Sequence, residues 1–303
     1  MTISRRNLLA STTATAAAIL GAGATRLGAA DGAPPFKLRY GPHVGWLNPE
    51  PPVRQLEIFA QHGYTAFEYN GLPSRTPQQC EEIRRKMDDL KMSMGTFVVN
   101  RGGWRPTAMP DRGAHRMFLE DVRRAVELHK IVGNEVATVT SGLGVLNLTF
   151  EQQTRNCVDV LKRAAEIVEK SRLVLVLEPL NVKVDHAGYF VVYSDHASEI
   201  IGQVNHPQVK ILFDCYHQQI SEGNIINNIN MYWDMIGYFQ TGDVPGRKEP
   251  GTGEMNYQNI FKTLYKRGYK GIVGLEHGML NPGIEGFQKV TEAYRQADSF
   301  ATS

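Results

Sequence analysis

One pattern repeats eight times along this chain and constrains its fold more than any other feature: a short apolar run followed by a longer amphipathic segment. The runs predict strands at Leu38–Val44, Ala66–Tyr69, Ser93–Val99, Glu135–Thr140, Leu173–Glu178, Lys210–Asp214, Ile236–Gln240 and Ile272–Glu276. The amphipathic segments predict helices near Val53–His62, Pro77–Leu90, Gly113–Val132, Phe150–Ser171, Asp195–Val204, Asn224–Trp233, Tyr257–Arg267 and Ile284–Ala297. Near-continuous apolar strands that alternate with helices indicate a parallel sheet covered on its outer face.

A closed barrel and an open doubly wound sheet both produce this alternation of strands and helices. Eight units favour the α/β class with a (β/α)8 TIM barrel, for which ~250 residues is usual. The segment after the first strand has no GxGxxG loop, which a dinucleotide-binding open sheet would carry. The sequence therefore predicts one barrel domain over residues 31–303.

The first thirty residues have the layout of an export signal. Ser4-Arg5-Arg6-Asn7-Leu8-Leu9 is a twin-arginine pattern, and a moderately apolar, alanine-rich run follows it as far as Ala24. The segment then ends in the small residues Gly28, Ala29 and Ala30, as in a cleavage region. We expect residues 1–30 to be a cleavable twin-arginine signal peptide and the barrel to be periplasmic. The apolar run is too short and weak for a stable membrane span, which needs ~20 strongly apolar residues.

Charge and cysteine content exclude several classes of protein. The formal net charge is +2, and no basic stripe interleaved with aromatics occurs, so a nucleic-acid partner is not expected. The three cysteines, Cys80, Cys157 and Cys215, cannot all pair, and none belongs to a CxxC motif. A disulfide framework is therefore not expected, even for an exported protein.

Four consecutive predicted strands end in polar residues, namely Glu178, Asp214, Gln240 and Glu276. The carboxyl ends of barrel strands meet at one face, where barrel enzymes place their active sites. A carboxylate after an apolar strand is costly to bury unless it is paired or bound to a metal. A single such residue could equally be a helix cap or a surface ion pair, but four at equivalent positions favour a metal site. Carboxylate and amide oxygens suit Mg²⁺ or Mn²⁺ better than zinc.

The loop from Phe239 to Tyr257 carries more polar residues than a turn requires. It contains Gln240, Arg247, three carboxylates and four glycines directly after an apolar strand. This composition predicts a loop that grips a small polar ligand.

Several motifs together resemble hydroxypyruvate isomerase and the wider xylose isomerase-like barrel family of sugar isomerases and epimerases. They are Glu178-Pro-Leu-Asn, Asp214-Cys-Tyr-His217, the run from Gln240 to Glu254, Gly274-Leu-Glu276 and Asn100-Arg-Gly-Gly-Trp104. The run DVPGRKEPGTGE is typical of the hydroxypyruvate isomerase branch. Ketose 3-epimerases have a histidine at the metal-ligand position of the seventh strand, where this chain has Gln240.

The resemblance implies roles for these residues. It implies that Mg²⁺ or Mn²⁺ is held by Glu178, Asp214, Gln240 and Glu276, and that Glu178 and Glu276 also act as the acid/base pair. It further implies that His217 and Arg247 bind substrate oxygens. Three residues are additional candidates for the substrate pocket, namely His43, Glu68 and Trp104. The implied reaction removes a proton beside a carbonyl and passes through an enediolate.

Three functions stay open at the level of sequence. The first is an isomerase acting on a hydroxypyruvate-type keto acid or a small sugar. The second is a ketose 3-epimerase or a 3-keto-sugar lyase that uses the same metal and carboxylates. The third is a sugar-binding barrel without catalysis, which the presence of both Glu178 and Glu276 argues against. Barrels of this type often associate, so the resemblance also allows a homo-oligomer.

Overall fold

The computed structural model describes residues 35–100 and 108–302. The predicted export signal, residues 1–30, and the predicted pocket residue Trp104 lie outside these ranges. The strands are β1 Arg39–Pro42, β2 Ala66–Phe67, β3 Ser93–Met94, β4 Val136–Thr140, β5 Val174–Glu178, β6 Val209–Asp214, β7 Ile236–Thr241 and β8 Ile272–Leu275. The helices are α1 Pro52–Gln61, α2 Pro77–Leu90, α3 His115–Val132, α4 Phe150–Val168, α5 Ser194–Val204, α6 Cys215–Ser221, α7 Ile225–Met231, α8 Tyr257–Lys266 and α9 Gly283–Ala297.

The strands form a closed parallel barrel. One sheet has the order β1-β8-β7-β6-β5-β4, and β2 pairs with β3 in a second, two-stranded sheet. Isolated parallel bridges join the two sheets, one between His43 and Glu68 and the other between Val98 and Thr138. The predicted (β/α)8 barrel is therefore confirmed, although β2 and β3 are shorter than the apolar runs predicted.

Helix α6 was not predicted. It begins at Cys215, directly after β6, and the Asp214 side chain accepts a hydrogen bond from the Tyr216 backbone N–H at 2.9 Å. A side chain in this position satisfies a backbone donor that the first turn of a helix leaves unpaired. The predicted helix Asn224–Trp233 is shorter in the structure, covering Ile225–Met231 and followed by a 3₁₀ turn at Trp233–Met235.

Two apolar clusters hold the barrel together. The larger one packs the outward faces of the strands against the helices, for example Leu177 and Phe239 with Phe261. The smaller one fills the barrel interior, and we call it the barrel floor; its buried members are Ala66, Val176, Leu212, Tyr238 and Ile272. Burying one large apolar side chain contributes ~1.5–3 kcal/mol, so both clusters contribute strongly to the fold.

The barrel floor explains why polar side chains gather above it. Side chains alternate between the two faces of a strand, so the residue two positions after an inward-facing one also faces inward. The residues that stand two positions after the five floor residues in the sequence are Glu68, Glu178, Asp214, Gln240 and Gly274. The sequence thus places a polar layer inside the barrel at the carboxyl ends of the strands, with Glu276 two residues beyond Gly274.

None of the helices within residues 35–100 and 108–302 is both long and apolar enough to cross a membrane.

Candidate active site

Four side chains converge at the carboxyl end of the barrel. Glu178, Asp214, His217 and Glu276 each offer a ligand atom, and these atoms all lie within 4.8 Å of one another. Three of the four were predicted from the strand ends to form one cluster, and the structure confirms that they meet. His217 joins them because helix α6 begins directly after Asp214 and brings the residue three positions later over the same site.

A cavity of about 480 Å³ opens beside this cluster. Its polar wall includes Glu178, His217, Arg247 and Glu276. Its apolar wall is formed by Pro73, Val98, Val99, Leu180 and Tyr189. The volume lies in the range of ~300–1,000 Å³ that is usual for small-molecule sites.

Arg247 supplies the positive charge of the site. Its Nη2 donates to Asp214 Oδ2 at 3.0 Å and to Glu276 Oε2 at 2.8 Å. Its guanidinium also lies over the Tyr216 ring, 4.7 Å from the ring centre. Such an arginine offsets part of the repulsion between the two carboxylates and is fixed in direction by the aromatic face.

Asp243 holds the loop that carries Arg247. Its two carboxylate oxygens accept hydrogen bonds from four backbone N–H groups, those of Val244, Gly251, Gly253 and Met255. The backbone of Arg247 is tied at both ends, since its N–H donates to Asp243 O and its carbonyl accepts from Gly278 N–H. Arg247 adopts a φ of 52°, a left-handed conformation that a non-glycine residue keeps only where its surroundings enforce it.

Hydrogen bonds fix the ring tautomer of His217. Its Nδ1 accepts from the Asn181 backbone N–H at 3.3 Å and from the Asn181 side-chain amide at 2.8 Å. The amide orientation is itself set, because Asn181 Oδ1 accepts from the Val184 backbone N–H. The neutral ring therefore carries its proton on Nε2, which faces Asp214 and Glu178 at 3.6 and 3.8 Å. His217 is placed as a hydrogen-bond donor to an oxygen in the site, in keeping with a substrate-binding role.

Asn70, which belongs to none of the sequence motifs, lines the cavity. Its side-chain amide donates to Glu276 Oε1 at 3.0 Å, so Asn70 and Arg247 together hold both oxygens of Glu276. A single asparagine after a short strand gives no recognisable motif. The predicted pocket residue His43 is not among the residues that line the cavity. Its Nε2 instead accepts a hydrogen bond from the Asn70 backbone N–H at 3.4 Å.

Gln240 and Glu68 form a pair below the cavity. The Gln240 amide nitrogen donates to both oxygens of Glu68, at 3.1 and 3.2 Å. Both side chains are buried, and neither is among the residues that line the cavity. Glu68, predicted as a substrate-pocket candidate, is instead paired with the Gln240 amide and does not line the cavity.

Burial and mutual repulsion shift the ionisation of the clustered groups. Burial raises the pKa of Glu178 well above its usual value, and the neighbouring Glu276 and Asp214 raise it further. Burial raises the pKa of Asp214 to about 7, although Arg247 opposes the shift. Burial and Arg247 hold the pKa of His217 well below its usual value, so the ring is neutral. The site is thus a set of crowded carboxylates whose charge favours a bound cation.

The oxygen donors of the site fit a hard divalent cation. Among the described residues, Glu178 Oε1 and Gln240 Oε1 are buried and accept no hydrogen bond. Buried acceptors without a donor are costly unless another partner satisfies them. Carboxylate and amide oxygens are the ligands that Mg²⁺ and Mn²⁺ take, and the side chains present therefore match the predicted metal.

The raised pKa of Asp214 predicts a pH-dependent stability. Because its folded-state pKa of about 7 exceeds the usual 3.8 of an exposed aspartate, the folded state retains a proton that the unfolded state releases between these values. The free energy of unfolding of the chelator-treated protein should therefore fall as the pH rises from about 4 to 7, because the folded state increasingly has to ionise the buried Asp214 carboxyl. Denaturant unfolding of the wild-type protein and Asp214→Asn across this range measures the effect. A stability difference between the two that stays constant with pH would contradict the assignment.

Comparison with known proteins identifies a family. A family model described as "Xylose isomerase-like TIM barrel" matches residues 56–297. The hydroxypyruvate isomerase of Escherichia coli K12 is 33% identical over 203 residues, which cover 65% of this chain and 77% of that protein. A 2-oxo-tetronate isomerase from Cupriavidus necator is 30% identical over 201 residues, covering 65% of this chain and 76% of that protein.

Solved structures agree on the fold. The crystal structure of an AP endonuclease, family 2, from Brucella melitensis matches with a TM-score of 0.76 and 23% identity, covering 84% of this chain and 98% of that one. A 3-keto-D-glucoside 4-epimerase from E. coli matches with a TM-score of 0.73 and 20% identity, covering 87% of this chain and 100% of that one. At these identities the likeness establishes the barrel and leaves the reaction to the site itself.

Proposed function

This chain belongs to the xylose isomerase-like TIM barrel family and is a hydroxypyruvate isomerase-like isomerase. On this basis we propose that it interconverts a hydroxy-carbonyl compound by moving a proton between adjacent carbons. The observation that carries the proposal is the cluster of Glu178, Asp214, His217 and Glu276 at the wall of a ligand-sized cavity. The named relatives act on hydroxypyruvate and 2-oxo-tetronate, so a small keto acid is the first substrate class to test.

Glu178 and Glu276 are the proposed acid and base. Both line the cavity, and they approach it from β5 and from the end of β8. One carboxylate removes the proton from the hydroxyl-bearing carbon beside the carbonyl, which leaves an enediolate. A carboxylic acid returns a proton to the former carbonyl carbon, and the hydroxyl proton passes to the former carbonyl oxygen, so that the carbonyl and the hydroxyl exchange places. Groups whose pKa is raised by burial and by a neighbouring carboxylate, as at Glu178, are suited to exchange protons near neutral pH.

His217 and Arg247 are the proposed substrate donors. His217 offers its Nε2 proton, because its Nδ1 is already engaged by Asn181. Arg247 offers its Nε proton, which is buried and has no acceptor among the described residues. Both donors can bind oxygens of the substrate and stabilise negative charge that develops there.

Glu178, Asp214, Gln240 and Glu276 are the proposed ligands of Mg²⁺ or Mn²⁺. When bound, such a cation supplies positive charge that stabilises the oxygen anion formed after proton removal. The two unpaired buried oxygens, on Glu178 and Gln240, support this assignment.

The size of the cavity favours a second candidate, a ketose 3-epimerase. A volume of about 480 Å³ leaves room beyond a three-carbon keto acid, and the apolar wall suits the carbon face of a sugar. The proton abstraction is the same, and only the carbon that regains the proton differs.

Solvent exchange in D₂O tests the proposal. Incubating the protein with Mn²⁺ and a panel of keto acids and ketoses should introduce deuterium into the true substrate, and NMR identifies the labelled carbon or carbons. Label on the two carbons of a hydroxy-carbonyl pair supports the isomerase, whereas label at C3 of a ketose with inversion supports the epimerase. Absence of label in every compound of the panel would count against proton transfer at this site.

We propose further that residues 1–30 direct twin-arginine export to the periplasm. The paired arginines before the alanine-rich run support this. A fluorescent reporter fused to residues 1–30 should reach the periplasm, and an Arg5→Lys, Arg6→Lys fusion should stay in the cytoplasm. Equal distribution of the two fusions would refute the proposal.

A further inference from the structure

The carboxylate of Glu68 lies inside the barrel, one layer above its floor. It is fully buried, it does not line the cavity, and both of its oxygens accept from the Gln240 amide nitrogen. Burying a carboxylate is costly unless hydrogen bonds compensate for the lost water, and the Gln240 amide supplies them here. A substrate cannot reach this group in the structure, so its role must be exerted through the residues that it contacts.

The barrel keeps space for this carboxylate at a glycine. A Cβ atom built on Gly274 would lie only 1.9 Å from Glu68 Oε1. Gly274 lies within strand β8 and is not among the glycines with positive φ, so its backbone conformation does not require glycine. The absence of a side chain at position 274 is therefore explained by the close approach of Glu68.

The pair also fixes the direction of the Gln240 amide. A side-chain amide has one donating and one accepting end, and both oxygens of Glu68 engage the donating end. The accepting end, Oε1, is left buried without a hydrogen-bond donor among the described residues. A carboxylate at position 68 thus selects the orientation in which the amide oxygen is free for another partner.

We propose that Glu68 is a positioning residue that orients Gln240, so that Gln240 Oε1 is presented to the divalent cation. This inference rests on the proposed function, in which Gln240 is a metal ligand. It assigns Glu68 no contact with the substrate. Residues that orient metal ligands commonly change metal affinity ~10–100-fold when they are replaced.

Isothermal titration of the chelator-treated protein with MnCl₂ tests the proposal without relying on activity. Glu68→Gln keeps the side-chain shape but replaces the carboxylate by an amide, which can both donate and accept. The new amide can accept from the Gln240 amide nitrogen and donate to Gln240 Oε1, so that this oxygen is no longer free for the cation. The expected result is a Mn²⁺ dissociation constant raised about 10–100-fold, with a changed EPR spectrum of the bound ion. A dissociation constant and spectrum equal to those of the wild type would overturn the inference.

Glu68→Asp separates orientation from charge. The shorter side chain keeps the negative charge but withdraws the carboxylate from the Gln240 amide. If orientation is the role of Glu68, Mn²⁺ affinity falls in this variant as well. If Glu68→Asp binds Mn²⁺ like the wild type while Glu68→Gln does not, Glu68 acts through charge alone and the positioning role is wrong.

Gly274→Ala displaces the carboxylate without changing it, and Gly41→Ala is its matched control. Gly41 is the cross-strand partner of Gly274, and a Cβ there would meet Ile272 and the Phe67 backbone instead of the Glu68 carboxylate. Gly274→Ala should weaken Mn²⁺ binding, and Gly41→Ala should not; equal effects in folded variants would contradict the proposal. A wild-type protein that binds no Mn²⁺ would instead refute the proposed metal site, which distinguishes the two failures.

Discussion

Glu178→Gln and Glu276→Gln should each lower kcat by about 10²–10⁴, the range that general acid–base catalysis supplies. An amide cannot accept the substrate proton at neutral pH, and it also weakens the charge that holds a cation. Both carboxylates line the same cavity, so the loss of either should slow proton transfer by this factor. The measurements are kcat at saturating Mn²⁺ and the rate of deuterium uptake by the substrate.

Glu254→Gln is the matched control, because Glu254 is an exposed carboxylate in the loop after β7 and is not among the residues that line the cavity. It should keep kcat and deuterium uptake near the wild-type values. Full turnover in both the Glu178 and the Glu276 variants would refute the acid/base assignment, whatever their metal affinity.

Arg247→Met should destabilise the chelator-treated protein by about 3 kcal/mol, the lower end of the usual effect of breaking a buried ion pair, because 25% of the Arg247 side chain is exposed. The variant leaves Asp214 and Glu276 without the guanidinium that now binds both. A loss of this size lowers Tm by roughly 10 °C in a domain of this length. Excess Mn²⁺ should restore more stability to this variant than to the wild type, because the cation supplies the missing positive charge.

Arg54→Met serves as the control for a lost arginine. Arg54 pairs with Glu57 on the surface, with 44% of its side chain exposed, and such pairs contribute only ~0–1 kcal/mol. Thermal unfolding of both variants with chelator and with Mn²⁺ gives the comparison. If Arg247→Met unfolds at the same temperature as Arg54→Met under both conditions, the Arg247 contacts contribute nothing measurable.

The barrel was predictable because each strand is a short apolar run that a helix follows. The ends of β2 and β3 were not, since their apolar runs continue beyond the regular pairing and only isolated bridges at Glu68 and Val98 complete the ring. Helix α6 was missed because Asp214 caps its first turn, whereas the sequence motif had suggested only that Asp214 is a metal ligand. A helix cap is difficult to recognise in sequence when the same side chain is already assigned to a metal site.

The candidate site also has parts that the sequence predicts and parts that it does not. Glu178, Asp214 and Glu276 were predictable, because their positions at strand ends determine where they lie. The contacts that orient them were not, as Asn70 reaches Glu276 from a loop 206 residues away in sequence. The pairing of Glu68 with Gln240 depends on the empty space at Gly274, and Glu68 meets that space only when β2 and β8 lie on either side of β1 in the closed barrel.

The four hydrogen bonds to Asp243 have a thermodynamic consequence for ligand binding. The loop that carries Arg247 is ordered during folding, so the loss of backbone entropy is complete before any ligand arrives. Association then carries little additional ordering cost at this loop, as in other preorganised sites. Calorimetry should accordingly show a heat-capacity change that reflects only the apolar surface covered by the ligand, without the more negative heat-capacity change that accompanies the folding of a lid.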